Sequence, residues 1–136
     1  MKINVTQVSG HNRFEITNEK GLKSKMGACD EFSDVQYGLR PMEMLASSLA
    51  GCVAIDLLNI LKKKRLEVKH FAVEIDAVRS EGIPGSFTKI HLDLHVGGVK
   101  AALVNKFTGL VLEKYCSVAL SLNPNIEITH SVHENK

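Results

Sequence analysis

The sequence predicts an α+β fold in which an antiparallel sheet, with elements in the order βββ-α-ββ-α-β, surrounds one long buried helix. Two observations support this prediction. Residues 40–65 form an apolar run at helical spacing, and segments on both sides of it alternate apolar and polar residues as half-buried strands do. Because 44% of the 136 residues are hydrophobic, we expect a single domain with its own core over residues 1–136.

Three short strands are predicted before the helix. Residues 2–9 and 13–17 alternate weakly on either side of a turn at residues 10–12, and a third strand is predicted around residues 21–25. A polar, irregular connection follows over residues 27–39. It contains Cys29, which we interpret as incidental to any thiol chemistry.

The long helix is predicted to begin at Pro41, because proline suits a first helical position, and to run to Leu61. Apolar residues cover most of its circumference, which is typical of a central helix. One apolar stripe consists of Met42, Leu45, Leu49, Val53, Leu57 and Leu61. At 1.5 Å per residue, about 25 residues of the apolar run 40–65 would form a helix roughly 38 Å long, which exceeds the ~26 Å diameter of a domain of ~100 residues. We therefore expect a homodimer in which a second subunit helps to cover this helix.

Charge and composition exclude several classes of partner. Charged residues within the helix argue against a membrane span, and its terminal basic run, residues 62–65, fits the negative end of a helix dipole. A net charge of +2 is too small to indicate nucleic-acid binding. The three cysteines lack a disulfide spacing and the six histidines lack a zinc spacing. We expect a cytoplasmic protein with no metal, no membrane and no nucleic-acid partner.

After the helix, residues 68–78 and 88–96 are predicted to form a hairpin with one buried face and one polar face. His91 and His95 fall on the polar face, where we expect solvated side chains rather than ligands. A second helix is predicted from the glycines at residues 97–98 to about Leu120, and a last strand over residues 126–132.

Cys52 lies in the long helix and Cys116 in the predicted second helix. Each cysteine alone is ordinarily a small buried hydrophobe. Their surroundings are more informative: the segments GLRPMEMLASSLAGCVAID and EKYCSVALSLNP resemble the two cysteine motifs of the OsmC/Ohr family of thiol-dependent peroxidases. The order of elements is similar to that family over essentially the whole chain.

The resemblance implies an OsmC-like fold with intertwined homodimers and reduction of organic hydroperoxides. Cys52 would be the peroxidatic cysteine and Cys116 the resolving cysteine. The implied partners are a hydrophobic organic hydroperoxide and a small dithiol or lipoyl-type reductant, with no metal, haem or flavin cofactor. The alternative is a small-molecule binding protein of the same fold without significant peroxidase turnover.

Activation of Cys52 is the point at which the chain departs from the family pattern. Peroxidase members use an arginine and a glutamate that directly follows the proline, but this chain has Met42 there and Glu43 one position later. Nine residues of a regular helix turn through about 900°, which would direct Glu43 away from Cys52. We retain Glu43 and Arg40 as candidate catalytic residues.

Three points about this activation stay open: the role of Glu43, the choice of arginine and the effect of Asp56. Glu43 can equally be a first-turn acid that interacts with the positive end of the helix. Arg13 is the other arginine that precedes the helix. Asp56, at i+4 from Cys52, disfavours a thiolate unless a cation pairs with it.

Overall fold

A computed structural model describes residues 1–8, 10–28 and 36–135 of the chain. The chain divides into two compact units, Met1–Leu45 and Ala46–Lys136, and each is described by itself. The α+β class and the order of the elements agree with the prediction. A single domain over residues 1–136 stays a prediction.

The N-terminal unit contains the three predicted strands. β1 (Ile3–Gln7), β2 (Arg13–Asn18) and β3 (Lys23–Gly27) form an antiparallel sheet in the order β1-β2-β3. The Asn18 side chain closes the second turn, because its Oδ1 accepts hydrogen bonds from two backbone N–H groups at 3.0 Å. Gly21 in that turn has a φ of 80°, a conformation that favours glycine. The turn therefore fixes the register of β2 and β3.

The long helix, α1, runs over Pro41–Lys63. It begins at the predicted proline and ends two residues beyond the predicted end. Its buried residues form a single stripe that consists of Ala46, Leu49, Ala50, Val53, Leu57 and Leu61. On another side, Ile55 is 64% exposed, so the elements of one chain leave part of the helix uncovered. Among the described residues, α1 is the one helix that is long and apolar enough to cross a membrane. Core helices of soluble proteins meet the same criterion of length and composition.

The C-terminal unit contains a second sheet of three strands, β4 (His70–Arg79), β5 (Phe87–Gly97) and β6 (Glu127–Asn135). β4 and β5 form the predicted antiparallel hairpin. β6 pairs with β5 in parallel, so the expectation of a wholly antiparallel sheet is wrong at this edge. The reason is the helical segment between β5 and β6, a crossover of the kind that joins parallel neighbours.

The two faces of this sheet differ as predicted. Ile90, Leu92, Leu94 and Val96 are fully buried on one face of β5. On the other face, His91 lies within hydrogen-bonding distance of Thr129, 2.6 Å from Nδ1 to Oγ1. The His95 ring stacks on the His133 ring with centroids 4.9 Å apart. The polar-face histidines thus make contacts across the strands, which the sequence pattern does not predict.

The predicted second helix is interrupted. α2 covers Ala101–Leu110, a π-helical turn follows over Val111–Tyr115, and a short α3 covers Ser117–Ser121. Cys116 lies between the last two with extended backbone angles, φ −75° and ψ 105°. The prediction of one helix to about Leu120 is therefore wrong, because a π turn breaks it just before the cysteine.

Candidate functional site

Cys52 and Cys116 come together in the C-terminal unit, with Asp56 beside them. The two sulfur atoms and a carboxylate oxygen of Asp56 all lie within 4.8 Å of one another. Both cysteines are free thiols. An S–S bond is about 2.05 Å long, so a disulfide between this thiol pair requires the two sulfur atoms to approach by at most about 2.8 Å.

α1 supplies two of the three side chains. Cys52 and Asp56 are four residues apart, so they lie on the same side of the helix one turn from each other. The Cys52 thiol donates a weak hydrogen bond to Oδ2 of Asp56, with sulfur and oxygen 3.9 Å apart. Cys52 is only partly buried.

Cys116 is held by the break between the π turn and α3. Its backbone N–H donates to the carbonyl of Val111 at 2.8 Å, and its sulfur accepts the N–H of Ala119 at 3.4 Å as the N-cap of α3. The residue is fully buried. Burial raises the pKa of the Cys116 thiol from 9.0 to about 11; the Ala119 hydrogen bond opposes this rise and the Cys52 side chain adds to it. Cys116 is consequently a protonated thiol at neutral pH.

The other predicted site residues belong to the N-terminal unit. Oε2 of Glu43 accepts the backbone N–H of Arg40 at 2.8 Å and the side-chain amide of Gln36 at 2.9 Å. The first of these bonds is the main cause that lowers the pKa of Glu43. Glu43 therefore acts as the acid of a helix start, which was one of the two alternatives. The catalytic role of Arg40 and Glu43 stays a prediction.

Arg13 and Cys29 are the remaining residues considered in the sequence. The Arg13 guanidinium lies over the Tyr37 ring, with Cζ 5.7 Å from the ring centroid. Cys29 lies outside the described residues.

A cleft of about 530 Å³ has Asp56 in its wall, and sequence reasoning missed it. Its lining residues are Asp56, Asn59, Ile60, Lys63, Lys64, Phe107, Leu110 and Tyr115. Four of them come from the last turns of α1 at helical spacing, and Lys64 follows directly after the helix; this spacing is the signal that could have indicated a shared surface. The Lys64 ammonium lies 5.1 Å from the centroid of the Phe107 ring. The cleft thus combines an apolar wall with two cations.

Comparison with known proteins identifies the family. The family model described as OsmC-like protein matches residues 33–131. This chain belongs to the OsmC-like family. Protein YhfA of Escherichia coli (strain K12) is 44% identical over 93 residues, which cover 67% of this chain and 69% of YhfA.

Two solved structures share the fold of this chain. A hypothetical protein from Aquifex aeolicus VF5 covers 99% of this chain, and 97% of its own chain is matched, at a TM-score of 0.80 and 28% identity. The organic hydroperoxide resistance protein OhrB of Bacillus subtilis matches with a TM-score of 0.65 and 16% identity, over 97% of this chain and 96% of its own. At that identity, the OhrB match shows the fold alone.

Proposed function

We propose that this OsmC-like protein reduces organic hydroperoxides with Cys52 as the peroxidatic cysteine and Cys116 as the resolving cysteine. The observation that supports the proposal most is the approach of the two sulfur atoms to within 4.8 Å from separate elements. Membership of the OsmC-like family supports the same chemistry, and the likeness to OhrB supports the fold that would carry it.

The reaction has three steps. The Cys52 thiolate attacks one peroxide oxygen, the O–O bond breaks, and a sulfenic acid forms while the other oxygen leaves as an alkoxide that takes up a proton. The Cys116 thiol condenses with the sulfenic acid, so that an S–S bond forms and one water leaves. A small dithiol of the lipoyl type then reduces the disulfide by exchange and becomes a disulfide itself.

Asp56 is proposed to move the proton in the first step. Its carboxylate already accepts the hydrogen bond of the Cys52 thiol, at 3.9 Å, so it is placed to take that proton and return it to the leaving alkoxide. The activating roles of Arg40 and Glu43 are proposed from the family resemblance, because their described contacts lie at the start of α1.

The cleft beside Asp56 suits a hydrophobic organic hydroperoxide. Ile60, Phe107 and Leu110 provide apolar surface for an alkyl chain, and a volume of about 530 Å³ lies within the range of small-molecule sites. Hydrogen peroxide has no alkyl group and gains nothing from this wall. We therefore expect preference for alkyl hydroperoxides.

A homodimer in a reducing, cytoplasmic compartment completes the proposal. The exposure of Ile55 on α1 supports a partner surface, and three cysteines without a disulfide-framework spacing suit a compartment that keeps cysteines reduced.

One observation favours a second candidate function, a small-molecule binding protein without significant turnover. Asp56 lines the cleft but neither Cys52 nor Cys116 does, so a protein with an inert thiol would retain the cleft as a binding site. The two functions differ in what Asp56→Asn does. Loss of the proton acceptor slows peroxide reduction by about 10²-fold if Asp56 is catalytic. Absence of turnover in both the wild type and Asp56→Asn, although Cys52 can be alkylated in both, favours the binding module.

The decisive experiment measures turnover of cumene hydroperoxide and of hydrogen peroxide with dihydrolipoamide as the reductant. We expect turnover of the alkyl hydroperoxide by the wild type and loss of it in Cys52→Ser and Cys116→Ser. Cys29→Ser is the matched control and should retain full activity. Activity that survives in Cys52→Ser would refute the peroxidase proposal.

A further inference from the structure

The cluster of Cys52, Asp56 and Cys116 has the composition and size of a transition-metal site. In the described part of the chain it is the only group of three or more His, Cys, Asp or Glu side chains whose ligand atoms all lie within 4.8 Å of one another. Two elements supply it: α1 carries the first two residues, and the turn between the π helix and α3 carries the third. We propose that the reduced protein binds one Zn²⁺ through these three side chains.

The donor atoms select the class of metal. Two cysteine sulfurs and one carboxylate oxygen suit Zn²⁺, whereas Mg²⁺ and Ca²⁺ require sites built of oxygen atoms. With Zn–S bonds of about 2.3 Å and Zn–O bonds of about 2.0–2.2 Å, ligand atoms on a tetrahedron lie about 3.5–3.8 Å apart. Cys52 Sγ and Asp56 Oδ2 are already 3.9 Å apart, and the remaining pairs require a closure of at most about 1 Å. Side-chain rotation is sufficient for such a change.

Proton balance and access agree with this assignment. Binding replaces the proton of each thiol, so one Zn²⁺ enters, two protons leave, and two thiolates with one carboxylate surround the cation. Three protein ligands leave the fourth position to water or to an external thiol, as in open zinc sites. The partial exposure of Cys52 provides a path for the ion, and the full burial of Cys116 protects the far side of the site.

The sequence did not indicate this site, and we expected no metal from it. Zinc motifs are recognised by ligands at short spacing. Here one ligand is far from the other two in sequence, and only the fold brings the three together.

Zinc and the disulfide exclude each other, because a sulfur in an S–S bond is no longer a thiolate ligand. The reduced protein would therefore hold the ion, and oxidation of the pair would release it. Metal binding itself requires no peroxide turnover, so this inference goes beyond the proposed enzymatic function and can stand without it.

The test is an anaerobic titration of the reduced wild-type protein with Co²⁺, which replaces Zn²⁺ and gives thiolate-to-cobalt charge-transfer absorption. We expect one Co²⁺ per chain, displaced by Zn²⁺. The charge-transfer intensity should fall by about half or vanish in Cys52→Ser and in Cys116→Ser. Asp56→Asn should keep the absorption with affinity lowered by at least about 10-fold.

Two controls locate the site and guard against misfolded variants. Asp93→Asn alters the carboxylate that lies 2.8 Å from His133 on the polar face of the second sheet, and it should change nothing. Alkylation of Cys52 in the folded wild type, or its oxidation to the disulfide, should abolish binding without any mutation. Absence of thiolate absorption in the wild type, or equal binding after alkylation, would overturn the inference. Peroxide turnover is measured separately, so failure of the metal site and failure of the peroxidase proposal are distinguishable.

Discussion

The sulfur of Cys52 lies within 4.8 Å of the sulfur of Cys116, although one residue is half-buried in α1 and the other is fully buried at the start of α3. This asymmetry gives the two thiols different chemistry. We predict that a reagent from solvent meets Cys52 first and that Cys116 reacts most readily with a group already formed on Cys52. The two thiols should therefore react in a fixed order.

Brief treatment with one equivalent of an organic hydroperoxide tests this order. We expect the wild type to lose two thiols per chain and to form a Cys52 to Cys116 disulfide, which leaves Cys29 free. Cys116→Ser should stop at a sulfenic acid on Cys52 and over-oxidise with excess peroxide, because no thiol is available to condense with it. Peptide mass mapping distinguishes these products. A disulfide that includes Cys29 would show that the resolving residue is wrongly assigned.

The buried thiol of Cys116 predicts a loss of stability in alkaline solution. Its pKa is raised from 9.0 to about 11, so between these values the unfolded chain has released a proton that the folded chain still holds. The free energy of unfolding should then fall by about 1.4 kcal/mol per pH unit. This slope begins near the pKa of the thiol in the unfolded chain and ends near its pKa in the folded chain. Urea unfolding of wild type and Cys116→Ala between pH 8 and 11 measures it.

The difference in the free energy of unfolding between wild type and Cys116→Ala isolates the contribution of the Cys116 thiol, because lysines and tyrosines titrate in both proteins. We expect the wild type to lose its advantage over Cys116→Ala as the pH rises through this range. Parallel curves for the two proteins would contradict the assignment of a protonated, buried Cys116.

The sequence predicted the hairpin of β4 and β5 well because both strands have a strong local pattern. The alternation of Ile90, Leu92, Leu94 and Val96 with polar residues belongs to a sheet with one buried face, and all four are buried. The start of α1 at Pro41 followed from the same kind of local rule.

The π turn, the direction of β6 and the proximity of the two cysteines could not be predicted from the periodicity of apolar residues. The apolar spacing continues through Val111–Tyr115, so it could not reveal the π turn that frees Cys116 from a helix. The direction of β6 is set by a crossover in space. The proximity of Cys52 and Cys116 was expected only from the resemblance to a family, because no rule of spacing joins two residues so far apart.

The lowered pKa of Glu43 predicts that the stability of the protein depends on pH in acid solution. Its pKa is held below the ordinary value of 4.5, first by the backbone N–H of Arg40 and then by the amide of Gln36. A depressed carboxyl pKa contributes stability that is present above the unfolded value and is lost as the pH falls through the folded value. Glu43→Gln should therefore be less stable than the wild type at pH 7, and the difference should disappear in acid.

Thermal unfolding of both proteins from pH 7 down to pH 3 measures this difference, with Glu19→Gln, an exposed glutamate in the β2–β3 turn, as the control. Glu43→Gln also tests the catalytic prediction for Glu43. Peroxide turnover that falls at a temperature where Glu43→Gln is fully folded supports that prediction. Unchanged turnover with reduced stability would restrict Glu43 to the helix start.

Gly51, next to Cys52 on α1, tests the proposed homodimer. A methyl group added there meets no atom of the described residues within 4 Å, and glycine inside a helix costs about 0.5–1 kcal/mol relative to alanine. In an isolated chain Gly51→Ala should therefore stabilise the protein. If a second copy packs closely against this side of α1, the methyl group should instead cost about 1–3 kcal/mol through overpacking. We predict that Gly51→Ala destabilises the protein and weakens association in sedimentation equilibrium.

Gly109→Ala in α2 is the matched control, because its added methyl meets only the His130 ring at an ordinary 3.8 Å, and it should raise the stability. If Gly51→Ala is as stabilising as Gly109→Ala, and the wild type sediments as a monomer at micromolar concentration, this face of α1 is free in solution and the homodimer proposal fails.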